Sequence, residues 1–174
     1  MGLDPSVLTP VHVVISLAAI GAGFVVLYGL LTARRMPGWT AFFLATTAAT
    51  SLSGFLFPFE RFLPSHAVGI ISLLIFPATV FALYGRRLAG RWRAGYVVTA
   101  VVLLYLNVFV LVAQGFQKVP ALKALAPTQS EPPFAVAQGT VLVFFVAAIL
   151  VAVRRFRPGP ETTLSAEPVA TTGR

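Results

Sequence analysis

Five stretches of this chain, residues 7–31, 38–57, 66–85, 94–115 and 134–153, each run for 20 residues or more without a Lys, Arg, Asp or Glu. A helix rises 1.5 Å per residue, so about 20 apolar residues cross a hydrocarbon core of roughly 30 Å. The pattern predicts an all-α fold, a polytopic transmembrane bundle of five spans forming a single domain over residues 1–157. Residues 158–174, rich in Pro, Thr, Ala and Glu, hold too little apolar surface to order themselves and read as a disordered tail.

Composition bears on what else the chain can do. With 57% hydrophobic and 10% charged residues among 174, it lies far from the roughly 45–50% and about 25% of soluble domains. No length is left for a sizeable domain outside the bilayer, so function belongs to the bundle or its short loops, and the lipid bilayer is the first partner. The absence of cysteine excludes disulfides, iron–sulfur ligation and thiolate nucleophiles in this chain. The net charge of +8 does not point to nucleic acid, because the basic residues cluster at span ends, where membrane topology accounts for them.

Those clusters alternate. Arg34 and Arg35 follow the first stretch, Arg86, Arg87, Arg91 and Arg93 the third, Arg154, Arg155 and Arg157 the fifth. With Arg174, one side holds ten of the thirteen Lys and Arg. On the other, Arg61, Lys118 and Lys123 are offset by Asp4, Glu60 and Glu131. The positive-inside rule therefore predicts an N-terminus outside and a C-terminus in the cytoplasm. The first stretch does not read as a cleaved signal peptide: its apolar run exceeds the usual 7–15 residues and the basic pair follows rather than precedes it.

Within the spans, small and hydroxylated residues mark packing faces, since close backbone approach drives association in lipid. In span two Thr46, Thr50 and Ser53 share a face expected to be buried. In span one His12, Ser16, Ala19 and Gly23 form a stripe expected to meet span two or three. Pro77 frees the carbonyl of Leu73 and predicts a kink in span three. The loop 117–133 is the longest between spans; residues 120–126 are expected to make one or two helical turns, with Val119, Leu122 and Leu125 on the membrane, and residues 128–133, stiffened by their prolines, are expected to serve as a lid over the outer mouth of the bundle. No internal repeat is visible.

The chemistry is sparse. No span contains a carboxylate or a basic side chain of the kind proton and ion pathways use. The titratable groups near membrane depth are His12 and His66, which the topology puts toward the outer face. Two imidazoles on different helices are what bis-histidine ligation of haem b requires. Other polar side chains on that side, Glu60, Arg61, Gln114, Gln129, Glu131 and Gln138, with Asn107 deeper, compose a candidate ligand-binding cluster. Asn107 also suits an interhelical hydrogen bond. A catalytic metal would need more ligands than these, and no nucleophile triad, P-loop or zinc-helix motif occurs.

Residues 55–74, FLFPFERFLPSHAVGIISLL, and 125–139, LAPTQSEPPFAVAQG, resemble segments of a family of small five-span inner-membrane proteins of high-GC bacteria. The resemblance implies a multi-pass protein of the bacterial cell inner membrane. That family has no assigned activity, so it transfers no site residue. Three functions remain open at this stage. The first expectation is a non-enzymatic accessory or assembly subunit of a larger complex, partnered by other membrane subunits or by its own copies. The alternatives are a haem-binding electron-transfer protein using His12 and His66, and a small-molecule or lipid-binding transport protein using the outer polar cluster.

Overall fold

The computed structural model describes residues 5–56 and 64–157. Six helices follow one another: α1 (Pro5–Leu31), α2 (Pro37–Gly54), α3 (Pro64–Val80), α4 (Arg91–Lys118), α5 (Pro120–Leu125) and α6 (Pro132–Arg155), with a π-helical turn, Phe81–Gly85, extending α3. Five of the six open on a proline, whose fixed φ suits the first turn, where its missing N–H costs nothing. The exception, α4, follows Gly90, whose φ of 52° and ψ of −122° belong to a region that side chains exclude.

Four segments, Ser6–Leu31, His66–Gly85, Arg91–Lys118 and Pro132–Arg155, are long and apolar enough to cross a membrane. Among the described residues all regular structure is helical, and the chain is a multi-pass membrane protein. The second stretch differs from the other four. It forms the shorter α2, 18 residues ending at Gly54 rather than at residue 57, and it carries six hydroxyl side chains from Thr40 to Ser53.

Helices α1 to α4 close a ring, α1 on α2, α2 on α3, α3 on α4 and α4 back on α1, while α6 packs against α4 and α1 from outside. Helix α4 is the hub, burying Val97, Ala100, Val101, Leu103 and Leu104 almost completely. The helices alternate in direction. The first halves of α1 and α3 meet the second halves of α2 and α4 at one end, here called the histidine end. The opposite halves meet at the arginine end, with Phe156 beyond α6. There Arg93 Nη1 donates to the carbonyl of Val153 at 2.9 Å and to that of Phe156, giving the final carbonyls of α6 a cationic cap.

One expectation changes, that for α2, and the α1 stripe meets α2 as expected. The buried face of α2 is Thr40, Phe43, Leu44, Thr47 and Ser51, whereas Thr46, Thr50 and Ser53 are only half-buried; Thr46 and Ser53 bond back to the carbonyls of Phe42 and Thr50, at 2.7 and 3.2 Å. Gly23 faces α2 and α4, where an added Cβ would lie 2.5 Å from Leu104 Cδ1 and 2.9 Å from Phe43 Cε2. Helix α3 runs through Pro77 and ends in the π turn, where the N–H of Arg86 reaches the carbonyl of Phe81 at 2.8 Å. The short helix α5 matches the loop reading, with Val119 and Leu125 exposed at 45% and 57%.

Candidate functional site

The ring encloses a cavity of about 590 Å³ at the histidine end. All four ring helices line it and α6 does not. Its apolar wall comes from Ile20, Val68, Leu106 and Val110, and its polar groups are His12, Thr50, Ser51, His66, Ser72 and Asn107, with Gln114 and Lys118 further along α4. An apolar pocket with a few fixed polar groups is the usual form of a small-molecule site, and this volume lies within the roughly 300–1,000 Å³ such sites occupy.

Three of these polar side chains, His12, His66 and Asn107, are held by local partners. His12 Nδ1 and Ser53 Oγ are 2.8 Å apart, a bond from α1 to α2 that fixes the imidazole, and Ser16 Oγ donates to the carbonyl of His12 at 2.7 Å. His66, 6% exposed, stacks on Phe55 with centroids 6.1 Å apart and planes 26° apart. Asn107 Nδ2 donates to Thr47 Oγ1 at 3.3 Å and to the carbonyl of Leu103 at 3.2 Å, tying α4 to α2 beneath the cavity. Thr50 departs from the pattern: its hydroxyl oxygen is buried and has no hydrogen-bond partner within the chain.

Below Asn107 the ring is closed. Phe43, Thr47, Leu103 and Leu104 are at most 1% exposed, and Gly23 admits Phe43 and Leu104 against the backbone of α1. This layer separates the cavity from the recess at the arginine end.

The expected outer cluster is divided. His12, His66, Asn107 and Gln114 line the one cavity, whereas Gln129, Glu131 and Gln138 do not. Gln129 sits at a φ of 61°, donates through Nε2 to the carbonyl of Ala113 at 2.7 Å and accepts from Gln117 at 3.0 Å, so it pins the loop onto α4. Glu131 Oε1 accepts from the N–H and hydroxyl of Thr128 at 3.1 and 2.9 Å, and Oε2 from the N–H of Ser130 at 3.1 Å. Desolvation opposes ionisation of Glu131, but these hydrogen bonds outweigh it and hold the carboxyl below its usual range. Gln138 Nε2 donates to the carbonyl of Phe109 at 3.1 Å, between α6 and α4. The proline-rich loop is thus a structured connection fixed to α4; none of residues 120–133 lines the cavity, so it does not form the expected lid.

Glu60 and Arg61 lie outside the described residues, as do Asp4 and the tail 158–174. Among the described residues no three His, Asp or Glu side chains come together as a metal site. Sequence reasoning takes Thr50 as a packing residue and gives Ser51 and Ser72 no role in a site. Ser72 has no signal of its own: it lies three residues from Gly69, but six residues from His66, which is about 120° around the helix. Family models, curated proteins and solved structures yield no match to this chain, so the functional reading rests on this geometry alone.

Proposed function

We propose that the protein is a five-span protein of the bacterial inner membrane, N-terminus outside and C-terminus cytoplasmic, that holds a small amphipathic molecule in the cavity at the histidine end. The unpartnered hydroxyl of Thr50, in the wall of a cavity of about 590 Å³, carries the reading. A buried hydroxyl without a partner costs about 1–3 kcal/mol, whereas His12, His66 and Asn107 in the same wall each have a bond or a stack of their own. An occupant with a polar head and an apolar body satisfies Thr50 and covers the Ile20, Leu106 and Val110 wall.

The count of five rests on α2, whose 18 residues extend about 27 Å as a helix and whose hydroxyls turn into the ring or back onto its own carbonyls. The orientation rests on the ten-to-three distribution of basic residues, with Arg34, Arg35 and Arg87 around one end of the bundle. The accessory-subunit reading needs a protein-binding face. The exposed side chains of α6, Val136, Val143, Phe144 and Leu150, are apolar as lipid alone demands, so the cavity reading takes precedence.

Extraction of the purified protein into organic solvent, followed by mass spectrometry, tests the proposal. A small molecule in near-stoichiometric amount should accompany the wild type and be lost from Ser72→Phe, which fills the cavity from α3. Decylubiquinone and oleate are the probes for thermal stabilisation if nothing co-purifies. No retained molecule and no shift with either probe would refute the reading.

One observation favours haem b as the occupant: His12 and His66 line the same cavity. The Ser53 contact orients the His12 ring as an outer-shell partner orients a ligand, and Gly54 and Gly69 keep both flanks slim. A bound haem supplies one-electron chemistry. A reduced visible spectrum with sharp bands, lost in His12→Ala or His66→Ala, distinguishes this occupant; a featureless spectrum after haem-supplemented expression excludes it.

A further inference from the structure

Side chains that line a cavity inside a helical bundle are ordinarily shielded from the exterior, and three at the histidine end are not. Val13 and Leu17 on α1 and Leu111 on α4 all line the cavity, yet they are 42%, 51% and 43% exposed. A side chain open to both the interior and the exterior stands at the rim of an opening. Val13 and Leu17, four residues apart, share one face of α1, so the three mark a gap in the seam between α1 and α4. Its sill is Ile20 and Leu106, each 8% exposed, a turn or so further toward the arginine end.

Two neighbouring seams are filled by side chains. Between α1 and α2, His12 is hydrogen-bonded to Ser53, and a Cβ on Gly54 would stand 3.8 Å from the imidazole Cε1. Between α2 and α3, the ring of Phe55 stacks on His66 and seats against Gly69, where an added Cβ would come within 3.2 Å of it. In this half of the bundle α6 is held to another face of α4. Gln138 donates to the carbonyl of Phe109, and Phe134 stands edge-on to Phe116 with centroids 5.3 Å apart. Leu111, two residues from Phe109, lies about 200° around the helix from it. Helix α6 reaches α1 at Phe24, whose ring is 6.2 Å from that of Phe145, two turns past Leu17.

Depth decides what the gap opens onto. Lys118 ends α4, and a lysine at a span end holds its charge at the headgroup level. Leu111 lies about 10 Å below it at helical rise, and Val13 and Leu17 lie about 12 and 18 Å along α1 from Pro5. The rim is therefore among acyl chains, and its three side chains offer a water-soluble solute nothing polar to follow. One apolar slot between two helices accepts one chain.

We infer that the cavity is loaded sideways from the bilayer through this gap and that its ligand is a lipid-dissolved, single-chain amphiphile. The polar head reaches Thr50 and Ser51, and the chain lies between Val13, Leu17 and Leu111. The inference rests on the ligand reading above and adds the class of the molecule and its route.

The chain has no cysteine, so Leu17→Cys with Leu111→Cys can be bridged across the gap by a bifunctional thiosulfonate reagent and released by dithiothreitol. The full chain is reconstituted in phosphatidylcholine vesicles holding isotope-labelled oleate or decylubiquinone and isolated at intervals through an affinity tag. The label carried per chain is then read by mass spectrometry. The wild type and the unbridged variant should take up a probe, the bridged protein should lose that uptake, and reduction should restore it. Equal uptake by bridged and reduced protein would refute the lateral route alone, since the ligand then enters by the outer mouth past Lys118. Displacement of labelled oleate by an equal concentration of acetate would show a site with no use for the chain and overturn the ligand class. Uptake of neither probe by the wild type would refute the ligand reading and this inference together. Where the cysteine pair does not fold or does not bridge, Leu111→Trp, which narrows the same gap, is read instead: slower uptake supports the route and an unchanged rate refutes it.

Discussion

Replacing Gly23 by alanine adds one carbon atom at the tightest point of the bundle. That Cβ would lie 2.5 Å from Leu104 Cδ1 and 2.9 Å from Phe43 Cε2, well inside van der Waals contact. Both neighbours are side-chain ends, which in an open site would rotate away, but Leu104 is 1% and Phe43 0% exposed, so each displacement propagates into the core. Overpacking of this kind costs about 1–3 kcal/mol. The same change removes a glycine from a helix interior, a gain of up to about 1 kcal/mol, so the net loss alone is ambiguous. Gly21 supplies the control: it lies two residues away on the exposed face of α1, and a Cβ there meets nothing within 4 Å. The propensity gain cancels between the two variants, and Gly23→Ala should unfold about 1–3 kcal/mol more easily than Gly21→Ala in reversible unfolding in mixed detergent micelles. Adding Leu104→Ala to Gly23→Ala should recover part of the deficit relative to Leu104→Ala alone. Equal stability of Gly23→Ala and Gly21→Ala would refute the close packing of α1 on α4.

Arg93→Met removes the cap on the last carbonyls of α6 and should cost about 1–2 kcal/mol for a cation at a helix C-terminus, read by the same unfolding assay, with Arg91→Met close to neutral. Glu131 has a depressed carboxyl pKa in the fold, so its contribution to the loop is complete above the ordinary value of 4.5 and is lost as pH falls through the lower folded value. The amide resonances of Thr128 and Ser130 should shift together below that pH, and Glu131→Gln should remove the transition. A periplasm-active reporter fused after Leu125 should be active and one fused after Gly90 silent; the reverse result would overturn the proposed orientation.

Sequence fixes where along the membrane normal a residue lies more readily than which way it faces. The limits of α1 and α6 follow from uncharged runs and opening prolines, those of α4 from an uncharged run between Arg93 and Lys118, and Pro120 with Lys123 and Leu125 announces α5. Depth places Gln129, Glu131 and Gln138 beside His12 and His66, which is why they read as one cluster. Direction separates them, because α6 packs outside the ring and the loop is pinned to α4 through Ala113. The same ambiguity affects α2. Thr46 and Thr47 differ by one residue, about 100° around the helix, and each begins a credible hydroxyl stripe; Phe43 and Leu44, with Asn107 across the ring, select the second. Cavities are harder still to read, since Thr50 and Ser72 carry no signal in themselves and acquire one only where four helices leave space between them.

The sealed layer of Phe43, Thr47, Leu103 and Leu104 has an electrical consequence. On α1 the two recesses approach each other from Ile20 to Val26, and on α4 from Leu106 to Tyr96, separations of about 9 and 15 Å at helical rise. A membrane voltage falls mainly across its insulating part. When the cavity is without its occupant and both recesses hold water, the potential that elsewhere is spread over roughly 30 Å of hydrocarbon is compressed into this thin apolar septum, so the field there is about two to three times that in the surrounding lipid. Asn107, at the edge of the septum, holds an amide dipole within that gradient, and its bond to Thr47 lies in the same field.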